Sequence, residues 1–184
     1  MNIPNLITLA RLLLVPFTVW LIISDAYGWA FLAFVVAGVS DGVDGYIARR
    51  YSLRSELGAY LDPAADKALL VSVYVTLALL KVIPSWLAIL VVSRDVLIVG
   101  AFILSLLMAR PVAVKPLMVS KINTAAQIIF VVAVLGAEAL HLQYWQALQG
   151  GMISVAILTA VSGAAYLREW VRHMANGQGK SGSP

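Results

Sequence analysis

Apolar residues in this chain come in long, nearly continuous runs rather than in alternation or narrow stripes. Six runs stand out, at residues 6–24, 29–50, 58–82, 84–108, 119–140 and 145–170. Each approaches or exceeds the roughly 20 apolar residues that a helix needs to cross a bilayer. Strands of a membrane barrel would instead read as ~10-residue segments of alternating character. The pattern predicts an all-α integral membrane protein, a single bundle of six transmembrane helices joined by short turns. The bundle would occupy residues 1–175 as one domain. Residues 176–184 are rich in Gly and Ser and read as a flexible tail. Residues 1–10 carry no Lys or Arg and no small-residue cleavage site follows them, so the first helix is expected to be retained.

Composition narrows this further. Hydrophobic residues make up 61% of the 184 and charged residues only 12%. A soluble domain carries roughly 25% charged residues. This balance excludes a soluble globular enzyme, a disordered chain and a coiled coil. Cysteine is absent, which removes disulfides, thiolate metal sites and thiol nucleophiles. The net charge of +4 reads as basic membrane-proximal loops rather than a nucleic-acid surface. Arg49, Arg50, Arg54 and Lys67 cluster near the second turn, Arg110, Lys115 and Lys121 near the fourth, and Arg168, Arg172 and Lys180 at the C-terminal end. The opposite side has Lys81 beside Asp25, Glu138 and His141. The positive-inside rule then puts both termini in the cytoplasm. Trp20, Trp29, Trp86 and Trp145 would mark the outer interface and Trp170 the inner one.

Acidic residues are scarce, so their placement is informative. Of nine, four fall in one short stretch: Asp41, Asp44, Asp62 and Asp66. Asp41 and Asp44 are three apart and share a helix face, as do Asp62 and Asp66 at a spacing of four. Sequential antiparallel helices would bring both pairs to a similar depth. Four carboxylates at a membrane boundary need neutralising. Oxygen-only ligands suit hard cations such as Mg²⁺ or Mn²⁺, and two such ions would balance four charges. Two divalent ions a few ångströms apart also form a clamp for displacement at phosphorus. Gly45, Ala48 and Gly58 leave room for a nucleotide against the backbone, and Arg49 suits a diphosphate. Interhelical ion pairing or a divalent-cation carrier would use the same acids, but would not need the small residues or Arg49.

The string Asp41-x2-Asp44-Gly45-x2-Ala48-Arg49-x8-Gly58-x3-Asp62-x3-Asp66 resembles the signature of the CDP-alcohol phosphatidyltransferases at every fixed position. The resemblance implies transfer of phosphatidyl from CDP-diacylglycerol to an alcohol with release of CMP. It implies that Asp41, Asp44, Asp62 and Asp66 hold two divalent cations, with Asp66 also acting as general base on the acceptor hydroxyl. It further implies that Gly45, Ala48, Arg49 and Gly58 line the CDP pocket, and that the protein is a homodimer. The expected location is a bacterial inner membrane, and the basic residues put the active site on its cytoplasmic side.

The acceptor is read from the remaining polar residues. Asn5, Thr8 and Arg11 recur at intervals of three, and Asn5 and Thr8 are candidate nucleotide contacts, with helix capping and snorkelling as the alternative. Arg94, Lys121 and Arg168 are candidate acceptor contacts. For Arg94 the alternative is a structural pair with Asp95, and for Lys121 and Arg168 it is positive-inside anchoring. The segments Val92-Ser93-Arg94-Asp95-Val96 and Ser120-Lys121-Ile122-Asn123-Thr124-Ala125 resemble the mitochondrial-type cardiolipin-synthesising branch, whose acceptor is phosphatidylglycerol. The branch using glycerol 3-phosphate, the phosphatidylglycerophosphate synthases, is the alternative. It typically carries Arg-Glu and a second Lys at these places, where this chain has Arg94-Asp95 and Asn123.

Overall fold

In a computed structural model, the chain forms α1 (Ile3–Ile23), α2 (Tyr27–Tyr51), α3 (Glu56–Leu79), α4 (Ser85–Leu107), α5 (Met118–Ala139) and α6 (Trp145–Asn176). The structure describes the backbone of residues 3–51, 56–107, 118–142 and 145–176, and side chains within 12–40, 67–101, 103–105, 118–142 and 146–173. No strand occurs among the described residues. Five helices end within three residues of the expected limits; α6 runs to Asn176, six residues beyond the expected 170.

The helices form a ring in the order α1, α2, α5, α6, α4, α3, with α3 reaching across to α5 and also touching α2. The ring is filled by Ile22, Phe34, Val73, Tyr74, Leu77, Leu87, Val91, Val131 and Leu135, all buried. Tyr74 stacks on Phe130 at 6.4 Å between ring centres, and its hydroxyl donates to the Gln127 carbonyl at 3.2 Å. The outside is apolar too. Leu13, Trp29, Leu79, Ile89, Val96 and Ile129 are each more than 60% exposed. Soluble proteins rarely expose such a continuous surface, whereas hydrocarbon solvates it.

Three helices, α4, α5 and α6, are long and apolar enough to cross a membrane among the described residues. The parts of α1, α2 and α3 with described side chains contribute shorter apolar stretches, Leu12–Ile23, Tyr27–Ser40 and Lys67–Leu79. The apolar helices mark a membrane protein.

The turns after α1, α3 and α5 lie at one end of the bundle and share one construction. Asp25, Lys81 and His141 each take a left-handed backbone, with φ of 56°, 61° and 51°. In each turn the next residue's N–H reaches back five positions: Ala26 to Leu21 and Val82 to Leu77 at 2.9 Å, and Leu142 to Ala137 at 2.9 Å. This is the Schellman closure, which satisfies carbonyls that a helix end would otherwise leave unpaired. Trp20, Trp29 and Trp86 are exposed near this end, in line with an interfacial belt. Trp170 is half-buried instead. Its indole donates to the Ala101 carbonyl at 3.1 Å and to Ser105 Oγ at 2.9 Å, fastening α6 to α4.

Candidate active site

The signature residues lie on two neighbouring helices. Asp41, Asp44, Gly45, Ala48 and Arg49 belong to the last turns of α2, and Gly58, Asp62 and Asp66 to the first turns of α3. The two helices pack against one another. The side chains of these residues, and of Asn5 and Thr8 on α1, lie outside the described residues. Among the described residues no three His, Asp or Glu side chains gather as a metal site.

A cavity of about 290 Å³ opens beside this stretch, between α2, α3, α4 and α5. Gly38, Lys67, Asp95, Thr124 and Gln127 line it, with Phe34 and Leu70 among its apolar walls. Gly38 precedes Asp41 by three residues, about 4.5 Å along a helix axis. Lys67 directly follows Asp66. The cavity therefore lies within one helical turn of the aspartate signature on both helices that carry it.

Its charged wall is a linked triad. Asp95 Oδ1 receives Arg94 Nη1 at 2.6 Å and Lys67 Nζ at 2.6 Å. Arg94 is buried, with 4% exposure, and its guanidinium also reaches two other helices. Nη2 donates to Ser120 Oγ on α5, and to Ser162 Oγ on α6 at 2.8 Å, while Nε donates to Ser162 Oγ at 3.2 Å. The Tyr166 ring lies 5.7 Å from the guanidinium carbon. α6 passes close here: a Cβ on Gly163 would sit in ordinary contact, 3.6 Å from Arg94 Cγ. Lys67 differs from Arg94 in being 40% exposed and lining the cavity.

Behind the cavity is a second polar chain. Gln127 Nε2 donates to Thr159 Oγ1 at 3.1 Å, and Thr159 donates to Asn123 Oδ1 at 2.9 Å. All three are buried, and the Asn123 amide nitrogen has no hydrogen-bond partner in the structure. The network holds Gln127 against α6 while Gln127 faces the cavity.

Of the basic residues singled out from sequence, Arg94 is thus enclosed by protein, while Lys121 and Arg168 are exposed and do not line this cavity. Sequence alone groups Lys67 with the anchoring charges. The signal that distinguishes it is its position: it sits within the helix that carries Asp62 and Asp66, one residue after the last acid, rather than in a turn.

Comparison with known proteins agrees with the signature. The model of the CDP-alcohol phosphatidyltransferase family matches residues 1–162, and the chain belongs to this family. It is 36% identical over 181 residues to the human cardiolipin synthase (CMP-forming), covering 90% of this chain and 60% of that protein. It is 34% identical over 185 residues to a probable cardiolipin synthase (CMP-forming) of Drosophila melanogaster, covering 91% and 57%. A rice chloroplastic CDP-diacylglycerol–glycerol-3-phosphate 3-phosphatidyltransferase is 34% identical over 152 residues, covering 73% of this chain and 46% of that protein. The chain thus spans 60% or less of the length of these three relatives.

Proposed function

We propose that this protein is an enzyme of phospholipid synthesis that transfers phosphatidyl from CDP-diacylglycerol to phosphatidylglycerol, releasing CMP and forming cardiolipin. The observation that carries the reading is the cavity with a cationic wall within one helical turn of a complete aspartate signature. Its closest support outside the structure is the likeness to proteins named cardiolipin synthase along 90% of the chain.

In the proposed reaction the acceptor hydroxyl oxygen forms a bond to the phosphorus that bears diacylglycerol. The bond from that phosphorus to the oxygen bridging it to CMP breaks, and CMP leaves with the electron pair. Asp66 would take the hydroxyl proton, since an unassisted alcohol is a poor nucleophile. Gly45, Ala48, Gly58 and Arg49, with Asn5 and Thr8, would hold the CDP moiety. The donor set Asp41, Asp44, Asp62 and Asp66 is all oxygen and fits two Mg²⁺ or Mn²⁺ ions. When bound, such ions offset the charge that gathers on the transferring phosphoryl group. Lys121 and Arg168 are proposed to attract anionic lipid to the same end of the bundle. Six membrane crossings, cytoplasmic termini, a cytoplasm-facing site in a bacterial inner membrane and a homodimer complete the proposal. The bias of basic residues toward one end supports the orientation.

The test is CMP release by the detergent-solubilised chain given CDP-diacylglycerol, phosphatidylglycerol and Mn²⁺ or Mg²⁺. Cardiolipin and CMP are expected in equal amounts, and Asp66→Asn should lower the rate at least about 100-fold. A chain active with glycerol 3-phosphate but not with phosphatidylglycerol would be a phosphatidylglycerophosphate synthase, the second reading, which the likeness to the rice enzyme supports. Absence of CMP with either acceptor would overturn both.

A further inference from the structure

We propose that Lys67, held in place by Asp95, is the cation that receives the phosphodiester of the lipid acceptor in the cavity between α2, α3, α4 and α5. This deepens the reading above and rests on it.

The triad supplies the charge. Two cations share one carboxylate oxygen, each at 2.6 Å, so the three residues together carry one net positive charge. Arg94 is enclosed and tied to Ser120 and Ser162, so it fixes Asp95 rather than meeting a ligand. Lys67 is the member with solvent-facing surface on the cavity. Its ammonium has three donors, of which Asp95 takes one. Preorganisation follows, because the Arg94 fork immobilises the carboxylate that positions the ammonium.

The rest of the cavity fits a singly charged headgroup. A phosphodiester carries one negative charge, whereas a phosphomonoester carries nearly two at pH 7. One net positive charge matches the former. Thr124 and Gln127 add hydrogen-bonding groups for glycerol hydroxyls, and Phe34 and Leu70 add apolar wall. The volume of about 290 Å³ is at the small end of ligand pockets (roughly 300–1,000 Å³), a size for a headgroup and not for acyl chains. The two divalent cations proposed above would neutralise the adjacent aspartates and leave the Lys67 charge to the acceptor. Asp66, one residue away, is the proposed base for the hydroxyl of that same headgroup.

The experiment measures CMP release by the full chain in detergent micelles, varying each substrate in turn. Lys67→Met should raise the KM for phosphatidylglycerol at least tenfold and change the KM for CDP-diacylglycerol less than twofold. Lys67→Arg should restore most of the loss, and Asp95→Asn should give an intermediate rise. A second variant guards against misfolding: Gly38→Leu points new methyl groups from a site where an added Cβ meets nothing within 4 Å. It should keep its thermal stability and raise the same KM by narrowing the cavity. Unchanged KM for phosphatidylglycerol in Lys67→Met, with an active wild type, overturns the inference and leaves the enzyme reading intact; so does an unchanged KM in a stably folded Gly38→Leu. A rise confined to CDP-diacylglycerol also overturns it. So does a Lys67→Met effect on glycerol 3-phosphate equal to or larger than that on phosphatidylglycerol, since the site would then be one for phosphomonoesters. A wild type without CMP release fails the enzyme reading and the inference with it.

Discussion

Arg94 ties together three helices that have no other buried cation among the described residues: its own α4 through Asp95, α5 through Ser120 and α6 through Ser162. A buried ion pair by itself is weak support for stability, because desolvation offsets the attraction. Here two hydroxyls take up three more of the five guanidinium donors, and the planar fork is what lets one side chain reach both. Lysine has the charge but not the fork. Arg94→Lys should therefore keep Asp95 neutralised yet lose the α5 and α6 links, lowering stability by about 1–3 kcal/mol. Thermal unfolding in detergent, read beside the KM for CDP-diacylglycerol, checks this; the KM should not move. From sequence, Arg94 was open between acceptor binding and a structural pair with Asp95, because its partners lie 26 and 68 residues away and only folding brings them near. Lys67 reads as an anchor in the sequence for the same reason: its partner Asp95 is on another helix. The aspartate signature is legible as a mark of the family because its spacing is local.

Helices were legible for a simple reason. A run of apolar residues in a membrane chain must close its own backbone hydrogen bonds, so the run and the helix coincide. Turn chemistry was not legible, since Asp25, Lys81 and His141 hold left-handed positions where glycine is the usual residue. Packing between elements was equally hidden, and two adjacent glycines in α6 make the point. A Cβ on Gly151 would lie 3.0 Å from Phe130 Cδ2 and 3.3 Å from Cε2, while one on Gly150 meets nothing within 4 Å. Phe130 cannot easily retreat, because it is buried and stacks on Tyr74. Gly151→Ala should thus force α5 and α6 apart and cost about 1–3 kcal/mol. Gly150→Ala should instead stabilise by about 0.5–1 kcal/mol, the usual gain over glycine inside a helix. The pair, compared by midpoint of thermal unfolding, separates helix propensity from interhelical fit; shifts of the same sign would contradict the packing described.

For the whole molecule, the arrangement of charge decides which way the bundle faces. The three Schellman turns stand at one end, and the aspartate signature and most basic residues are assigned to the other by the alternation of helix direction. The proposed reaction releases water-soluble CMP from a membrane-anchored lipid, so it needs a site at a membrane surface, and the proposed orientation makes that surface the cytoplasmic one. Because the chain has no cysteine, a single introduced thiol reports its own side without background. Asp25→Cys, Lys81→Cys and His141→Cys replace exposed residues of the three turns, and Arg172→Cys an exposed residue near the opposite end of α6. In sealed membrane vesicles of known orientation, an impermeant maleimide should label the first three together on the face opposite to Arg172→Cys. Each substitution at a left-handed turn position exchanges one L-residue for another, so the turn geometry itself should survive. If the three turn positions divided between the two faces, six crossings in alternation would be wrong. If all three labelled with the cytoplasmic face, the crossings would stand and the site would face the other side.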